Sequence, residues 1–94
     1  MPETTYINWF NTKETRWARD EYVHDWEGID SRFPMSHWWI AETLDPDGNR
    51  LYELLLCDDE SIKGFQAGLY TSVESAKNAA ERINALFVEL RSAP

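Results

Sequence analysis

The chain has 94 residues, which allows one hydrophobic core of modest size and predicts a single domain over residues 1–94. Seventeen acidic residues against nine basic ones give a net charge of −8, which argues against direct binding to nucleic acid or to an anionic membrane. The single cysteine excludes an internal disulfide, and the longest aliphatic run is too short to cross a bilayer.

The N-terminal part is rich in aromatic residues. Residues 5–10 fit either a short strand or an aromatic anchor, and both interpretations stay open. Residues 12–26 favour a helix, because apolar side chains including Trp17, Tyr22 and Trp26 fall roughly along one side. The stretch from Tyr22 to Trp26 would also alternate as a strand. Residues 28–36 contain Gly28 and Pro34 and predict a loop.

The middle of the chain predicts strands. Residues 38–43 are aromatic and β-branched, and the sequence Asp-Pro-Asp-Gly-Asn at 45–49 is typical of a hairpin turn. Residues 51–57 carry apolar side chains on both faces, which indicates a central strand covered on both sides. Residues 64–70 predict a third strand. The adjacent Trp38 and Trp39 are expected to face opposite sides of the sheet.

The C-terminal part predicts a long amphipathic helix from Thr71 to Arg91. Its apolar residues recur at alternating steps of three and four, and Thr71 with Glu74 matches a capping box. We therefore expect an α+β fold with a three-stranded antiparallel meander, the C-terminal helix on one face and a helical, aromatic-rich N-terminal segment. The other face of the sheet needs cover, either from that segment or from a second copy of the protein.

No motif in the chain indicates catalysis or a cofactor. Asp45, Asp47 and Asn49 match the start of a calcium-binding loop, but Arg50 and Leu56 stand where the loop requires Gly and Glu. His24 and His37 lack any helical metal-binding spacing, and Cys57 lies in an apolar strand. We expect no enzyme activity, no cofactor and no metal. A metal-dependent enzyme that uses the two histidines is the least favoured alternative.

The distribution of aromatic and acidic residues is more informative. All five tryptophans lie within the first 39 residues, and the acidic residues form clusters around 20–30, 45–47 and 58–60. Trp and Tyr are enriched at binding hot spots, and carboxylates on a rigid scaffold can imitate phosphates. We expect a basic partner to contact the following residues: Trp17, Asp20, Glu21, Asp25, Trp26, Glu27, Asp58, Asp59 and Glu60.

These observations predict a small, cytoplasmic, non-enzymatic protein that binds and inhibits or modulates a basic nucleic-acid-handling protein or complex. Nucleic-acid mimicry of this kind is used by phages and mobile elements against host defences, and a CRISPR effector is one such target. The chain starts without a basic or apolar leader, which favours the cytoplasm. The alternative is a homo-oligomeric structural domain, such as a homodimer, without an inhibitory role.

Overall fold

The computed structural model describes residues 5–12, 16–32, 36–58 and 65–92. Seven strands precede one helix: β1 (Ile7–Asn11), β2 (Arg16–Ala18), β3 (Glu21–Val23), β4 (Asp25–Asp30), β5 (Ser36–Leu44), β6 (Arg50–Asp58), β7 (Phe65–Tyr70) and α1 (Val73–Ser92).

Five strands form one antiparallel sheet in the order β1-β4-β5-β6-β7, and β2 pairs with β3 in a separate two-stranded hairpin. The α+β class is confirmed, and β5, β6 and β7 form the expected meander. The prediction that the sheet contains only those three strands is wrong. It fails because β4 pairs with β5 along Asp25–Ile29, and β1 pairs with β4 from Ile7 opposite Asp30.

The prediction of a helix over residues 12–26 is also wrong, because in the described part of this range the chain forms β2, β3 and the start of β4. Val23 and Asp25 are buried while Tyr22 and His24 are exposed, which is the period of two expected of strands. The predicted loop at 28–36 starts too early, because β4 runs to Asp30. Residues 5–10 include most of strand β1.

The two faces of the sheet differ in what covers them. Trp38 is buried on the helix side, while its neighbour Trp39 is half-buried on the opposite side, as alternation requires. The core lies between the sheet and α1 and consists of these residues: Ile7, Trp38, Ile40, Leu54, Ala76, Ala79 and Ala80. Small residues on α1 let the helix approach the large side chains of the sheet closely.

The C-terminal helix matches its sequence pattern, with one correction at its start. The Ser72 hydroxyl accepts a hydrogen bond from the backbone N–H of Ser75 at 3.1 Å, which makes Ser72 the N-cap. The predicted capping box at Thr71 is therefore displaced by one residue. Phe87 and Leu90 belong to the predicted apolar stripe of the helix, but their side chains lie outside the described part of the structure. Gly64, the predicted start of the third strand, also lies outside it.

One buried polar network connects the end of strand β4 to the helix. Arg32 holds the buried Asp30 carboxylate through Nε at 3.0 Å and Nη2 at 2.6 Å, and Asn84 on α1 donates to the same carboxylate. The hydrogen bonds from Arg32, together with that from Asn84, outweigh burial and lower the pKa of Asp30 to about 2. The Glu81 carboxylate accepts from the backbone N–H of Ile7 at 2.8 Å, which fastens β1 to the helix.

Candidate functional site

The β2–β3 hairpin exposes two aromatic side chains, Trp17 and Tyr22, that lie side by side. Its tip consists of Arg19 and Asp20, which have φ values of 50° and 62°. Two successive residues with positive φ are typical of a type I′ turn, whose twist matches that of the flanking strands. Asp accepts this conformation readily, whereas it is uncommon for Arg. The tip therefore depends on contacts that hold it in place.

The first of these contacts is made by Arg16 at the base of the hairpin. Its Nε donates to both oxygens of the Asp25 carboxylate at 3.2 Å, and its Nη2 donates to the Glu42 carbonyl at 2.6 Å. Asp25 is only 8% exposed and also accepts from Trp39 Nε1 at 3.0 Å. A buried carboxylate is costly unless it is paired in this way.

Two further arginines hold the rest of the hairpin. Arg19 donates to the carbonyl of Asp45 in the β5–β6 turn, which brings the tip against that turn. Arg50 on β6 donates to the carbonyl of Tyr22 at 3.2 Å and forms ion pairs with the buried Glu42 and with Glu21. The hairpin is thus joined to the sheet by charge-assisted hydrogen bonds at both ends.

An aromatic pair lies on the hairpin, away from the core. Trp17 and Tyr22 are directly opposite each other in the register, with ring centroids 3.8 Å apart and planes inclined by 35°. Trp17 is 60% exposed and Tyr22 is 54% exposed. Each ring could bury a large area, so leaving both in solvent sacrifices stability that core packing would have supplied.

The aromatic pair forms one wall of a cleft of about 690 Å³, which we name the hairpin cleft and which is lined by Trp17, Asp20, Glu21, Tyr22, His24, Glu42 and Arg50. Asp20 and Glu21 are exposed beside the rings, whereas Glu42 is buried behind Arg50. The cleft offers ring faces and carboxylates together. Both attract a cationic side chain, the rings through their quadrupole and the carboxylates through their charge.

The structure brings three of the sequence-predicted contact residues together in this cleft, namely Trp17, Asp20 and Glu21. Asp25 and Trp26 lie elsewhere. Asp25 is buried, and its carboxylate is bound by Arg16 and Trp39. Trp26 packs on Tyr52 with ring centroids 5.9 Å apart and belongs to the edge of the core.

Glu27 and the acidic residues at 58–60 complete the predicted set. Glu27 is half-buried on the side of the sheet opposite the helix, in register with Trp39. Asp59 and Glu60 lie outside the described residues, and so does the side chain of Asp58.

Sequence reasoning missed Tyr22, His24, Glu42 and Arg50 as lining residues. The sequence of the tip, Arg19-Asp20, lacks the Asn-Gly or Asp-Gly signal of a type I′ turn, so no turn was expected there. Glu42 and Arg50 come from the β5–β6 hairpin, and only the tertiary fold places them against the N-terminal residues. The alternation of Tyr22, Val23 and His24 was the local sequence signal that could have indicated a strand with Tyr22 and His24 on its exposed side.

The histidines do not form a shared site in the structure. His24 lines the hairpin cleft. His37 lies on β5 in register with Ile29 and Cys57, on the side of the sheet opposite α1. Within the described ranges, no group of three or more His, Cys, Asp or Glu side chains is placed to hold a metal ion. No helix in the described part of the chain is long and apolar enough to cross a membrane.

No family model, no curated protein and no solved structure matches this chain. Its function is therefore inferred from the geometry of its surfaces. The class that the structure defines is a two-layer α+β domain with an aromatic and acidic cleft beside its sheet.

Proposed function

We propose that this protein is a non-enzymatic binding protein whose hairpin cleft docks on a basic surface of a nucleic-acid-handling protein and thereby inhibits or modulates it. The observation that supports this most is the exposed Trp17–Tyr22 pair beside the carboxylates of Asp20 and Glu21. Exposed aromatic residues next to charges are typical of interaction hot spots.

The rigidity of the hairpin adds to this proposal. Arg16, Arg19 and Arg50 hold it against the sheet, so binding would order few additional side chains. Preorganised contacts lower the entropic cost of association.

The charge of the whole chain complements the proposed partner. A net charge of −8 attracts basic surfaces over a distance of about a Debye length and increases the rate of encounter. The aromatic rings would then set the lifetime of the complex, because they bury apolar area against Lys or Arg stems. A partner that normally holds phosphates has such a surface, and the carboxylates would occupy it. An origin in a phage or mobile element stays a prediction from the sequence.

The first test is affinity capture with the tagged protein from lysate of its native host, washed at low and at high salt and analysed by mass spectrometry. We expect a basic nucleic-acid-binding protein that is released by salt and displaced by added DNA or RNA. The double variant Trp17→Ser/Tyr22→Ser should lose this protein, whereas Leu86→Ser, which removes an exposed apolar side chain from α1, should retain it.

The charge contribution is tested with isosteric substitutions. Asp20→Asn/Glu21→Gln neutralises the cleft, and Asp47→Asn/Glu74→Gln removes the same charge from exposed positions elsewhere. We expect only the first pair to weaken capture and to flatten its salt dependence. Equal capture by the wild type and both cleft variants would overturn the proposal.

A further inference from the structure

The side of the sheet opposite α1 forms a second candidate interaction surface, which we call the outer sheet face. Its members follow from the register, in which Glu27, Trp39 and Leu55 are neighbours across β4, β5 and β6. The apolar side chains on this face are Phe10, Ile29, Trp39, Leu51, Leu55 and Leu69. The described part of α1 packs on the other side of the sheet.

These apolar side chains are substantially accessible. Phe10 is 55% exposed on β1 and Leu69 is 51% exposed on β7, so the accessible area reaches from one edge of the sheet to the other. Trp39 and Leu55 between them are only half-buried. At one corner of this face, Arg16 from the hairpin forms an ion pair with Asp25. Contiguous apolar surface of this kind marks interaction sites more often than ordinary surface.

Apart from the Arg16–Asp25 ion pair at its corner, the described charges on this face are negative. Glu27 and Glu53 place their carboxylates among the apolar side chains, and Gln66 donates to Glu53 at 3.1 Å. Strands β1, β4, β5 and β7 contain no Lys or Arg, and the arginine of β6, Arg50, pairs with Glu42 at the hairpin cleft. A partner that desolvates this face must therefore supply the positive charge itself.

We propose that the outer sheet face docks a protein segment that presents apolar and basic side chains on the same side. Apolar side chains of the segment cover Trp39 and Leu55, and its Lys or Arg side chains reach Glu27 and Glu53. A second copy of this chain fits less well, because it would bring Glu27 and Glu53 towards the same carboxylates in a region of low dielectric. This surface is separate from the hairpin cleft, so the inference goes beyond the proposed function and does not depend on it.

The test uses defined peptides as probes. A fluorescein-labelled peptide with the repeat Leu-Leu-Lys-Lys (the Leu–Lys peptide) is titrated with the full-length protein, because this repeat places both residue types on each side of an extended chain. Its anisotropy is compared with that of peptides with the repeats Leu-Leu-Glu-Glu (the Leu–Glu peptide) and Ser-Ser-Lys-Lys. We expect the Leu–Lys peptide to bind, and each comparison peptide to bind at least about tenfold more weakly, because each lacks one of the two complementary features. Failure of the Leu–Lys peptide to bind, or equal binding of the Leu–Glu peptide, would overturn the proposal.

Variants then locate the binding surface. Phe10→Ser/Leu69→Ser and Glu27→Gln/Glu53→Gln should each raise the Kd of the Leu–Lys peptide by about fivefold or more. Leu86→Ser and Asp47→Asn/Glu74→Gln are the matched controls and should leave it unchanged. Phe10 and Leu69 are more than half exposed, so their replacement leaves the core intact. An unchanged Kd in both outer-face variants contradicts the inference.

Two further measurements separate this inference from the other possibilities. The variant Trp17→Ser/Tyr22→Ser should bind the Leu–Lys peptide with the affinity of the wild type. Loss of lysate capture in that variant then tests the function proposed for the hairpin cleft and not the outer sheet face. Sedimentation equilibrium tests for a second copy. A dimer of the wild type that dissociates in Leu69→Glu would show that the face pairs with itself, and would overturn the proposed occupant.

Discussion

Asn84 on α1 donates a hydrogen bond of 2.8 Å to the carboxylate of Asp30 on β4, although 54 positions separate the two residues. Asn84 also accepts from the indole N–H of Trp38 at 3.4 Å. A polar residue on the helix thus satisfies both a buried ring and a buried carboxylate. This contact joins the helix to strand β4, and the Arg32–Asp30 ion pair satisfies the same carboxylate.

The low pKa of Asp30 predicts a specific loss of stability in acid. Its pKa is about 2 in the folded protein against an ordinary 3.8, so between these values the unfolded chain binds more protons. The resulting stabilisation is fully present above about pH 5 and is lost as the pH falls towards 2. A shift of this size corresponds to about 2 kcal/mol.

The variant Asp30→Asn isolates this contribution. We expect it to be less stable than the wild type at pH 7, and the difference in unfolding free energy to shrink by most of about 2 kcal/mol at pH 2. Urea denaturation of both proteins across this pH range provides the measurement. A difference that does not change with pH would contradict the role of Arg32 and Asn84.

Replacing Arg16 by Met should destabilise the protein and loosen the hairpin. The change leaves the buried Asp25 carboxylate with Trp39 Nε1 and without its cation, which we expect to cost about 1–3 kcal/mol. The double variant Arg16→Met/Asp25→Asn should recover part of this loss, because the remaining group is neutral. Chemical denaturation of the four proteins of the cycle measures the coupling.

The exposed helix residue Arg82 provides the control for Arg16. Arg82→Met should leave both the unfolding free energy and amide exchange in β2–β3 at the values of the wild type. If Arg16→Met behaves like Arg82→Met, the hairpin does not depend on the Arg16–Asp25 pair.

Two neighbouring positions distinguish the observed helix start from the predicted one. Ser72→Ala removes the hydroxyl that caps the amide of Ser75 and should lower the thermal stability by about 1 kcal/mol. Thr71→Ala lies one residue before the cap and should change the stability by less than about 0.5 kcal/mol. The reverse order of the two effects would support a cap at Thr71.

Gly28 is required by the close approach of β1. A Cβ atom at this position would lie 2.6 Å from Ile7 Cγ2 and 2.6 Å from the Trp9 ring. We expect Gly28→Ala to lower the free energy of unfolding by about 1–3 kcal/mol, as overpacking does. Asn8→Ala, an exposed change on the neighbouring strand, serves as the control. Equal stability of the two variants would show that β1 can shift to admit the methyl group.

Local signals account for the elements that the sequence predicted well. The apolar spacing of α1 and the Asp45–Asn49 turn each depend on a few consecutive residues, and the structure places both close to the predicted positions. The Asp45 carboxylate accepts from the backbone N–H groups of Asn49 and Asp47, and these bonds lower its pKa. Such interactions form within one turn of chain, so composition and spacing suffice to recognise them.

The N-terminal half shows the limit of such signals. The strands β2 and β3 have three residues each, too few for a period of two to be distinguished from a helical pattern. Strand β1 pairs with β4 across the inserted hairpin, a contact between distant residues that no local pattern indicates. Trp17, Asp20 and Glu21 were recognised as candidates from residue type alone.

The sequence by itself determined the α+β class, the C-terminal helix, the β5–β6 turn and an acidic, aromatic-rich composition that favours a basic partner. Only the tertiary structure decided which acidic residues remain at the surface. Asp25 and Glu42 have the same chemistry as Asp20 and Glu21, yet each is buried against an arginine from another strand. The physical reason is that burial of a charge depends on a partner brought close by the fold, and residues that meet only after folding leave no local pattern in the chain.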